Sequence, residues 1–210
     1  MIAAIAGQRA WVAEAFAGDR RFGNYVSTTD GIRALPKGSW IFFVHWSDRV
    51  PADVLTDYIC VGFHMTPLPY GRGGNPLQNM ILMGHKETRL TAYRMAEELD
   101  AGPIYLQRGP IPIDVGSAEG IYTHVSMMSI DMAHEIWGKK PAPEQQSGPI
   151  VTFRRLEPEE CALPPKLTTD ELYDRIRMID CPGDLPSAHL RYGNMILHLT
   201  DARHFGAFVT

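Results

Sequence analysis

The chain has 210 residues, a formal net charge of -4, and 45% hydrophobic and 21% charged residues. This composition is typical of a globular domain with a small extension, and the acidic balance disfavours a large nucleic-acid-binding surface. We expect no membrane span, anchor or signal peptide, because the apolar start at residues 1–7 is short and lacks a basic segment.

Short apolar runs alternate with helical patterns in the first half of the chain. The runs predict strands at residues 2–6, 24–27, 40–46 and 58–64, and the patterns between them predict helices at 10–16 and from 51–55 onward. Continuous apolar strands that alternate with helices indicate an α/β fold with a mostly parallel sheet covered on both faces. Such sheets bind ligands beyond the carboxyl ends of their strands, so the residues after each strand are candidate site residues.

The second half of the chain combines helices with a strand pair and proline-rich breaks. The pattern predicts a helix at 75–83, strands at 89–95 and 104–113, a long helix at 117–138, a connector at 141–149, a helix at 172–179 and a strand or hairpin at 191–199. Pro164 and Pro165 interrupt the chain between the connector and the last helix. We therefore expect a main domain at 1–163 and a small C-terminal α/β appendage at 164–210.

Two candidate site residues stand 36 positions apart in the sequence. His64 ends an apolar strand and is followed by Pro67 and Pro69, which exclude ordinary helix or sheet pairing after it. Asp100 begins an Asp-Ala-Gly-Pro turn. Taken singly, each has a structural interpretation, as a strand-end histidine bonded to backbone and as a turn residue. Together they offer a base and a carboxylate that orients it, the minimum for moving an acyl-type carbon onto a nucleophile.

The motifs around these two residues resemble those of a known family. Residues 62–73 read Gly-Phe-His-Met-Thr-Pro-Leu-Pro-Tyr-Gly-Arg-Gly, residues 84–91 read Gly-His-Lys-Glu-Thr-Arg-Leu-Thr, and residues 99–102 read Leu-Asp-Ala-Gly. The stretch resembles the formyltransferases that use 10-formyltetrahydrofolate, whose histidine motif runs Asn-x-His-x-Ser-Leu-Leu-Pro-x-x-Arg-Gly. The spacing from His64 to Asp100 matches that pattern without a gap. The resemblance implies a Rossmann-like formyltransferase core, a catalytic domain at 1–163, and an enzyme that transfers a formyl group.

The resemblance also assigns roles to individual residues. His64 would accept a proton from an attacking amine, or stabilise the tetrahedral intermediate when charged, and Asp100 would hold the imidazole in place. The co-substrate would be 10-formyltetrahydrofolate. Its pterin is expected between the loop at residues 46–48 and the loop at residues 96–100. The expected binding residues are Trp46, Ser47, Asp48, Ala96 and Asp100.

One position departs from the family pattern. The usual triad is Asn, His and Asp, but Gly62 stands where the pattern has asparagine. Glycine has no side-chain donor for a developing oxyanion, and losing one such donor typically lowers the rate about 10²–10³-fold. Three explanations stay open. The donor is an amide from the next segment, with Asn75 as the catalytic candidate and Asn79 beside it; or it is a bound water; or the glycine is a habit of the subgroup that acts on amino sugars.

We expect the acceptor to be a nucleotide-linked amino sugar. Arg9, Arg72 and Thr91 are the candidate substrate-binding residues, and Arg9 stands at a helix N-terminus suited to phosphate. Methionyl-tRNA formyltransferases carry a large C-terminal β-barrel, for which the residues after Pro165 are too few. Residues 168–183 resemble the region that follows the core in sugar-modifying members, and members of the family often form homodimers.

Two alternatives stay open. One is a catalytically impaired folate- or nucleotide-binding homologue, marked by Gly62, and the other is a formyltransferase for another small amine such as glycinamide ribonucleotide. No metal is expected, because the histidines and the cysteines Cys60, Cys161 and Cys181 show no ligand spacing. The separated cysteines are typical of free thiols in a cytoplasmic protein. The expected partners are a small-molecule nucleotide sugar and a second copy of the chain, with no nucleic acid and no membrane.

Overall fold

The computed structural model describes residues 2–19, 21–183 and 185–203. In these residues the strands are, in chain order, β1 (Ala3–Gly7), β2 (Tyr25–Val26), β3 (Trp40–Val44), β4 (Ile59–His64), β5 (Arg72–Gly73), β6 (Glu87–Arg94), β7 (Ile104–Pro112), β8 (Thr152–Phe153), β9 (Ala188–Tyr192) and β10 (Met195–Leu199). The α-helices are α1 (Ala10–Ala17), α2 (Thr29–Arg33), α3 (Ala52–Asp57), α4 (Pro76–Leu82), α5 (Ala118–Lys139) and α6 (Thr169–Arg177), and a 3₁₀ helix spans Pro158–Cys161.

The central sheet has the strand order β2, β1, β3, β4, β6, β7. The first four strands are parallel, whereas β6 pairs antiparallel with β4, and β7 pairs antiparallel with β6. The mostly parallel α/β sheet predicted from the apolar runs is confirmed. Strand β4 therefore forms the border between a parallel half and an antiparallel half.

Both faces of the parallel strands are buried, which explains their continuous apolar sequences. On one face, Ile5 of β1 and Phe42 of β3 join a core with residues of α1 and α5. On the other face, Ala4 and Ile41 pack in a second core with residues of α2 and α3. Because helices cover both faces of the sheet, the ends of the parallel strands are the parts left accessible to a ligand.

The long helix α5 lies within one residue of the prediction at each end. The hydroxyl of Ser117 accepts a hydrogen bond from the N–H of Gly120 and so caps the first turn. The predicted apolar stripe faces the core, with Ile121, Val125 and Ile136 buried. Among the described residues, no helix is both long and apolar enough to cross a membrane.

Several short elements differ from the prediction. The pattern does not predict α2, which Thr28 caps by accepting from the N–H of Gly31, or the two-residue pairing of β5 with β8, which joins segments far apart in sequence. The last helix begins earlier than predicted, because Thr168 and Glu171 form a reciprocal capping box. The segment predicted as a strand or hairpin is the antiparallel hairpin β9–β10.

The C-terminal segment packs onto the main domain. Side chains from α6 and the residues after it, Ile176, Met178, Ile179 and Ala188, belong to the same core as α1 and α5. The hydrophobic core is thus continuous across the boundary expected at residue 163, and the division into two domains stays a prediction.

A buried ion pair fixes α6 against this core. The side chain of Arg177 is 2% exposed, and its guanidinium binds a carboxylate oxygen of Asp174 at 2.6 Å. A further guanidinium nitrogen donates to the carbonyl of Gly116 at 3.3 Å, and the group lies over the ring of Tyr173. A guanidinium this deeply buried is strongly unfavourable without its counter-ion.

Replacing Asp174 with alanine should therefore lower the free energy of unfolding by about 3 kcal/mol, because Arg177 would remain buried without its partner. Chemical denaturation followed by circular dichroism measures the change. The control is Asp131→Ala, which removes an exposed partner of Arg21 and should alter stability little. Equal losses for the two substitutions would contradict the role given to the buried pair.

Candidate functional site

A cavity of about 1220 Å³ opens where the carboxyl ends of β1, β3 and β4 meet. It is lined by residues that follow these strands, among them Arg9 and Trp46, and by His64 at the end of β4. Cys181 and Leu185 of the C-terminal segment also contribute to its wall. Sites for a single small ligand are typically about 300–1,000 Å³, so this cavity has room for two substrates.

The two residues singled out by the sequence meet in this cavity. His64 and Asp100 are 7% and 6% exposed, and Nδ1 of the imidazole lies 3.5 Å from Oδ2 of the carboxylate. This distance is longer than a strong hydrogen bond, as is common for catalytic pairs before substrate binds. The fold therefore places a buried imidazole beside a buried carboxylate at the wall of a ligand-sized space.

Two donors and an unusual backbone conformation fix Asp100. Its φ is 53°, a left-handed conformation that aspartate adopts more readily than most residues. The hydroxyl of Tyr93 donates to Oδ1 at 2.6 Å, and the N–H of Gly73 donates to Oδ2 at 2.9 Å. Position 73 requires glycine, because its φ is 107° and a Cβ there would lie 2.2 Å from the carbonyl oxygen of Phe153.

His64 is held at both ring nitrogens. Nε2 lies 2.7 Å from the carbonyl oxygen of Gly71, and Nδ1 faces Asp100. Both neighbours are hydrogen-bond acceptors, so only the doubly protonated ring can donate to both at once. The ring is therefore held in a fixed orientation at the wall of the cavity.

Gln146, which no sequence motif indicated, holds the backbone of the Asp100 turn. Its Nε2 donates to the carbonyls of Asp100 and Gly102, each at 2.8 Å. Its Oε1 accepts from the guanidinium of Arg72 at 2.7 Å, and Arg72 also pairs with Glu98. Arg72, expected to bind substrate, is thus part of the framework around the turn. Only the polarity of a glutamine inside a proline-rich connector hints at this role.

The residues that the resemblance assigns to the co-substrate lie together. Trp46, Ser47, Asp48 and Ala96 all line the cavity, as does Asp100. Apolar side chains complete this wall: Phe43, Val50, Leu55 and Met95. The cavity therefore has an apolar wall bordered by the polar groups of the loop after β3.

Two of the predicted substrate-binding residues have different surroundings. Arg9 lines the cavity, and its guanidinium donates to the hydroxyl of Ser47 at 2.9 Å. Thr91 is buried, and its hydroxyl donates to the carbonyl of Thr66 at 2.6 Å. Within the described ranges, neither Thr91 nor Arg72 is among the lining residues. All three residues have hydrogen-bond partners within the protein, and their role in substrate binding stays a prediction.

The two asparagines considered as replacements for the missing triad amide hold backbone in place. Asn75 lines the cavity, but its Oδ1 accepts from the N–H of Leu156 at 2.9 Å. The amide nitrogen of Asn79 donates to the carbonyls of Gly74 and Arg154. Asn75 stays a prediction as a catalytic residue, and the geometry gives it a clear structural task.

An aromatic cluster lines another part of the cavity. Trp11 and Tyr122 stack with ring centroids 5.9 Å apart, and His45 meets Tyr122 edge to face at 4.9 Å. Burial lowers the pKa of His45 to about 4, so this ring is neutral at pH 7 and adds no charge. His45 directly follows β3, whereas the sequence placed it inside the strand predicted at 40–46. Over the described residues, no three His, Cys, Asp or Glu side chains are grouped as a metal site requires.

Comparisons with known proteins relate this site to a family. A solved methionyl-tRNA formyltransferase from Clostridium thermocellum matches with a TM-score of 0.87 and 31% identity, over 97% of this chain and 93% of that chain. The chain belongs to the formyltransferase family. The methionyl-tRNA formyltransferase of Halorhodospira halophila is 31% identical over 150 residues, which are 69% of this chain and 47% of that protein. The chain spans about half the length, or less, of the curated relatives it matches.

The C-terminal part has its own match within the formyltransferases. Residues 158–209 match the family described as methionyl-tRNA formyltransferase, C-terminal domain. Two solved structures share only the fold. HypX from Aquifex aeolicus in complex with tetrahydrofolic acid has a TM-score of 0.74 and 15% identity, over 96% of this chain and 37% of that chain. A 4-N formyltransferase from Francisella tularensis has a TM-score of 0.71 and 14% identity, over 97% and 99%. The Rossmann-like formyltransferase fold expected from the resemblance is confirmed.

Replacing Gln146 with alanine should lower the free energy of unfolding by about 2 kcal/mol, because two carbonyls of the Asp100 turn lose their donor. Hydrogen exchange of residues 96–103 should accelerate as the turn opens more often. The matched control is Gln145→Ala, whose side chain is exposed and should leave both measurements near the wild-type values. Unchanged exchange in the Gln146 variant would show that the turn is held by other contacts.

Proposed function

We propose that this member of the formyltransferase family moves a formyl group from 10-formyltetrahydrofolate to the primary amine of an acceptor. The observation that carries the proposal is the buried pair of His64 and Asp100, 3.5 Å apart, at a cavity with room for two substrates. Membership of the family supports the reaction class, and the tetrahydrofolic acid bound to the HypX protein supports the co-substrate.

The apolar wall around Trp46 fits the reduced pterin of the co-substrate. It combines the buried side chains of Phe43 and Val50 with the exposed polar groups of Ser47 and Asp48, and a pterin has both a ring face and hydrogen-bonding edges. The indole N–H of Trp46 is buried with no hydrogen-bond partner among the described residues, which suits a bond completed by a ligand. The co-substrate, when bound, supplies an activated formyl carbon.

In this proposal, His64 carries the proton that the reaction must move. Each transfer joins the acceptor nitrogen to the formyl carbon and releases the folate nitrogen, so the first nitrogen loses one proton and the second gains one. The imidazole lies at the cavity wall with two held nitrogens, and an imidazole exchanges protons readily near pH 7. Asp100 keeps the ring oriented for this exchange.

Two classes of acceptor compete for the second substrate position. The sequence favoured a nucleotide-linked amino sugar, and the fold shared with the Francisella 4-N formyltransferase is compatible with it. At about 30% identity, however, the relatives are methionyl-tRNA formyltransferases by name, and residues 158–209 match the C-terminal domain of that group. We therefore place the amine of an aminoacyl-tRNA first and an amino sugar second.

Replacing His64 with asparagine should lower the rate of formyl transfer roughly 10²–10⁴-fold, the usual contribution of a general acid–base group. Asp100→Asn should have an effect of similar size, because the ring loses its orienting carboxylate. Turnover of 10-formyltetrahydrofolate measures both, with circular dichroism to check the fold. His124→Asn, on the exposed face of α5, is the control. Wild-type rates in either site variant would refute the assignment.

The acceptor is tested by offering the wild-type protein 10-formyltetrahydrofolate together with either methionyl-tRNA or a panel of nucleotide-linked amino sugars. We expect kcat/KM to be at least about tenfold higher for the tRNA. The opposite ranking would favour the amino sugar. Folate binding without transfer to any amine would favour the impaired homologue that Gly62 suggested. The homodimer implied by the resemblance is part of this proposal and is checked by sedimentation.

A further inference from the structure

The position that lacks the family's asparagine has a tyrosine directly across the sheet. In the antiparallel pairing of β4 with β6, Gly62 stands opposite Tyr93. Gly62 lies two residues before His64, and Tyr93 lies seven residues before Asp100. Both Gly62 and Tyr93 line the cavity. Gly62 and Tyr93 therefore line the same cavity as His64 and Asp100.

The ring of Tyr93 fills the space that a side chain at position 62 would need. A Cβ built on Gly62 would lie 2.8 Å from Cε1, from Cζ and from the hydroxyl oxygen of Tyr93. The ring is buried, with Tyr93 5% exposed, and real Cβ atoms essentially never lie this close to another heavy atom. The ring of Tyr93 therefore occupies the position that the Cβ of a larger residue at 62 would take.

The hydroxyl of Tyr93 is committed to Asp100. It donates to Oδ1 at 2.6 Å, and a phenol has one proton to donate. Burial and the neighbouring carboxylate raise the pKa of Tyr93 well above its usual value, so the hydroxyl stays a neutral donor. The group therefore acts on the carboxylate, which in turn faces His64.

We propose that Tyr93 is a positioning residue that stands in for the family's side-chain amide, because its ring excludes a side chain at position 62 and its hydroxyl holds Asp100 against His64. The inference rests on the proposed formyl transfer. In this inference, Tyr93 compensates for the absence of asparagine at position 62. Its hydroxyl acts through the carboxylate of Asp100 and not on the substrate.

Replacing Tyr93 with phenylalanine removes the hydroxyl and keeps the ring. We expect kcat for formyl transfer to fall roughly 10- to 100-fold, the effect of losing one hydrogen bond to a charged group, while KM for 10-formyltetrahydrofolate changes less than about twofold. Tyr58→Phe is the matched control. Tyr58 is likewise buried, 4% exposed, and donates from its hydroxyl to the carbonyls of Arg33 and Leu35. It should keep the wild-type kcat.

Substitutions at positions 62 and 93 test whether the ring of Tyr93 excludes a side chain at position 62. Gly62→Asn alone forces a side chain against the ring of Tyr93 and should lower both the transfer rate and the thermal midpoint, the latter by about 5 °C. Tyr93→Leu makes room for that side chain. The double variant Gly62→Asn with Tyr93→Leu should therefore be as stable as Tyr93→Leu and exceed its kcat about tenfold, because an amide returns to the site.

The outcomes separate the two proposals. A wild-type kcat in Tyr93→Phe overturns the positioning role while formyl transfer stands. Strictly additive effects of Gly62→Asn and Tyr93→Leu on the thermal midpoint overturn the steric exclusion, whether or not the protein turns over. A wild-type protein that transfers no formyl group to any amine overturns the proposed function and this inference with it.

Discussion

The buried carboxylate of Asp100 is the group on which the rest of the site depends. A carboxylate removed from water is strongly unfavourable unless donors surround it. Here the donors are the phenol of Tyr93 and the backbone N–H of Gly73, while Gln146 binds the backbone of the turn itself. Because these groups come from β6, β5 and the connector, three distant parts of the chain must fold correctly before His64 has an oriented partner.

The site lies at β4, the strand at the border between the parallel and antiparallel halves of the sheet. Residues two apart on a strand share one face, so a side chain at position 62 would lie on the same side of β4 as that of His64. The antiparallel register places Tyr93 opposite Gly62 and so brings its ring to that side too. A shift of β6 by one residue would turn Tyr93 to the face opposite His64. The register of one strand pair is thus as important to the chemistry as any single residue.

Local patterns predicted most of the framework and drew attention to His64 and Asp100, whose side chains the structure brings together. The fully buried strands β1 and β3 are continuous apolar runs, and Ser117 marks the start of α5 by its own capping bond. Elements fixed by distant contacts were missed, such as the pairing of β5 with β8. A polar side chain in a motif does not disclose its partner, so the motifs did not indicate the bonds that Arg72 and Thr91 make inside the protein.

The sequence by itself determined the succession of strands and helices along the chain, the histidine at a strand end, the aspartate in a turn, and the family. Each of these depends on residue types at short range or on the spacing of a motif. Only the tertiary structure decided which side chain lies against position 62 and what holds the Asp100 turn. Those answers depend on Tyr93 and Gln146, which reach the site across a sheet and from a loop 46 residues away from Asp100. Hydrogen bonds between such distant groups are set by packing, and packing leaves no local signature in the chain.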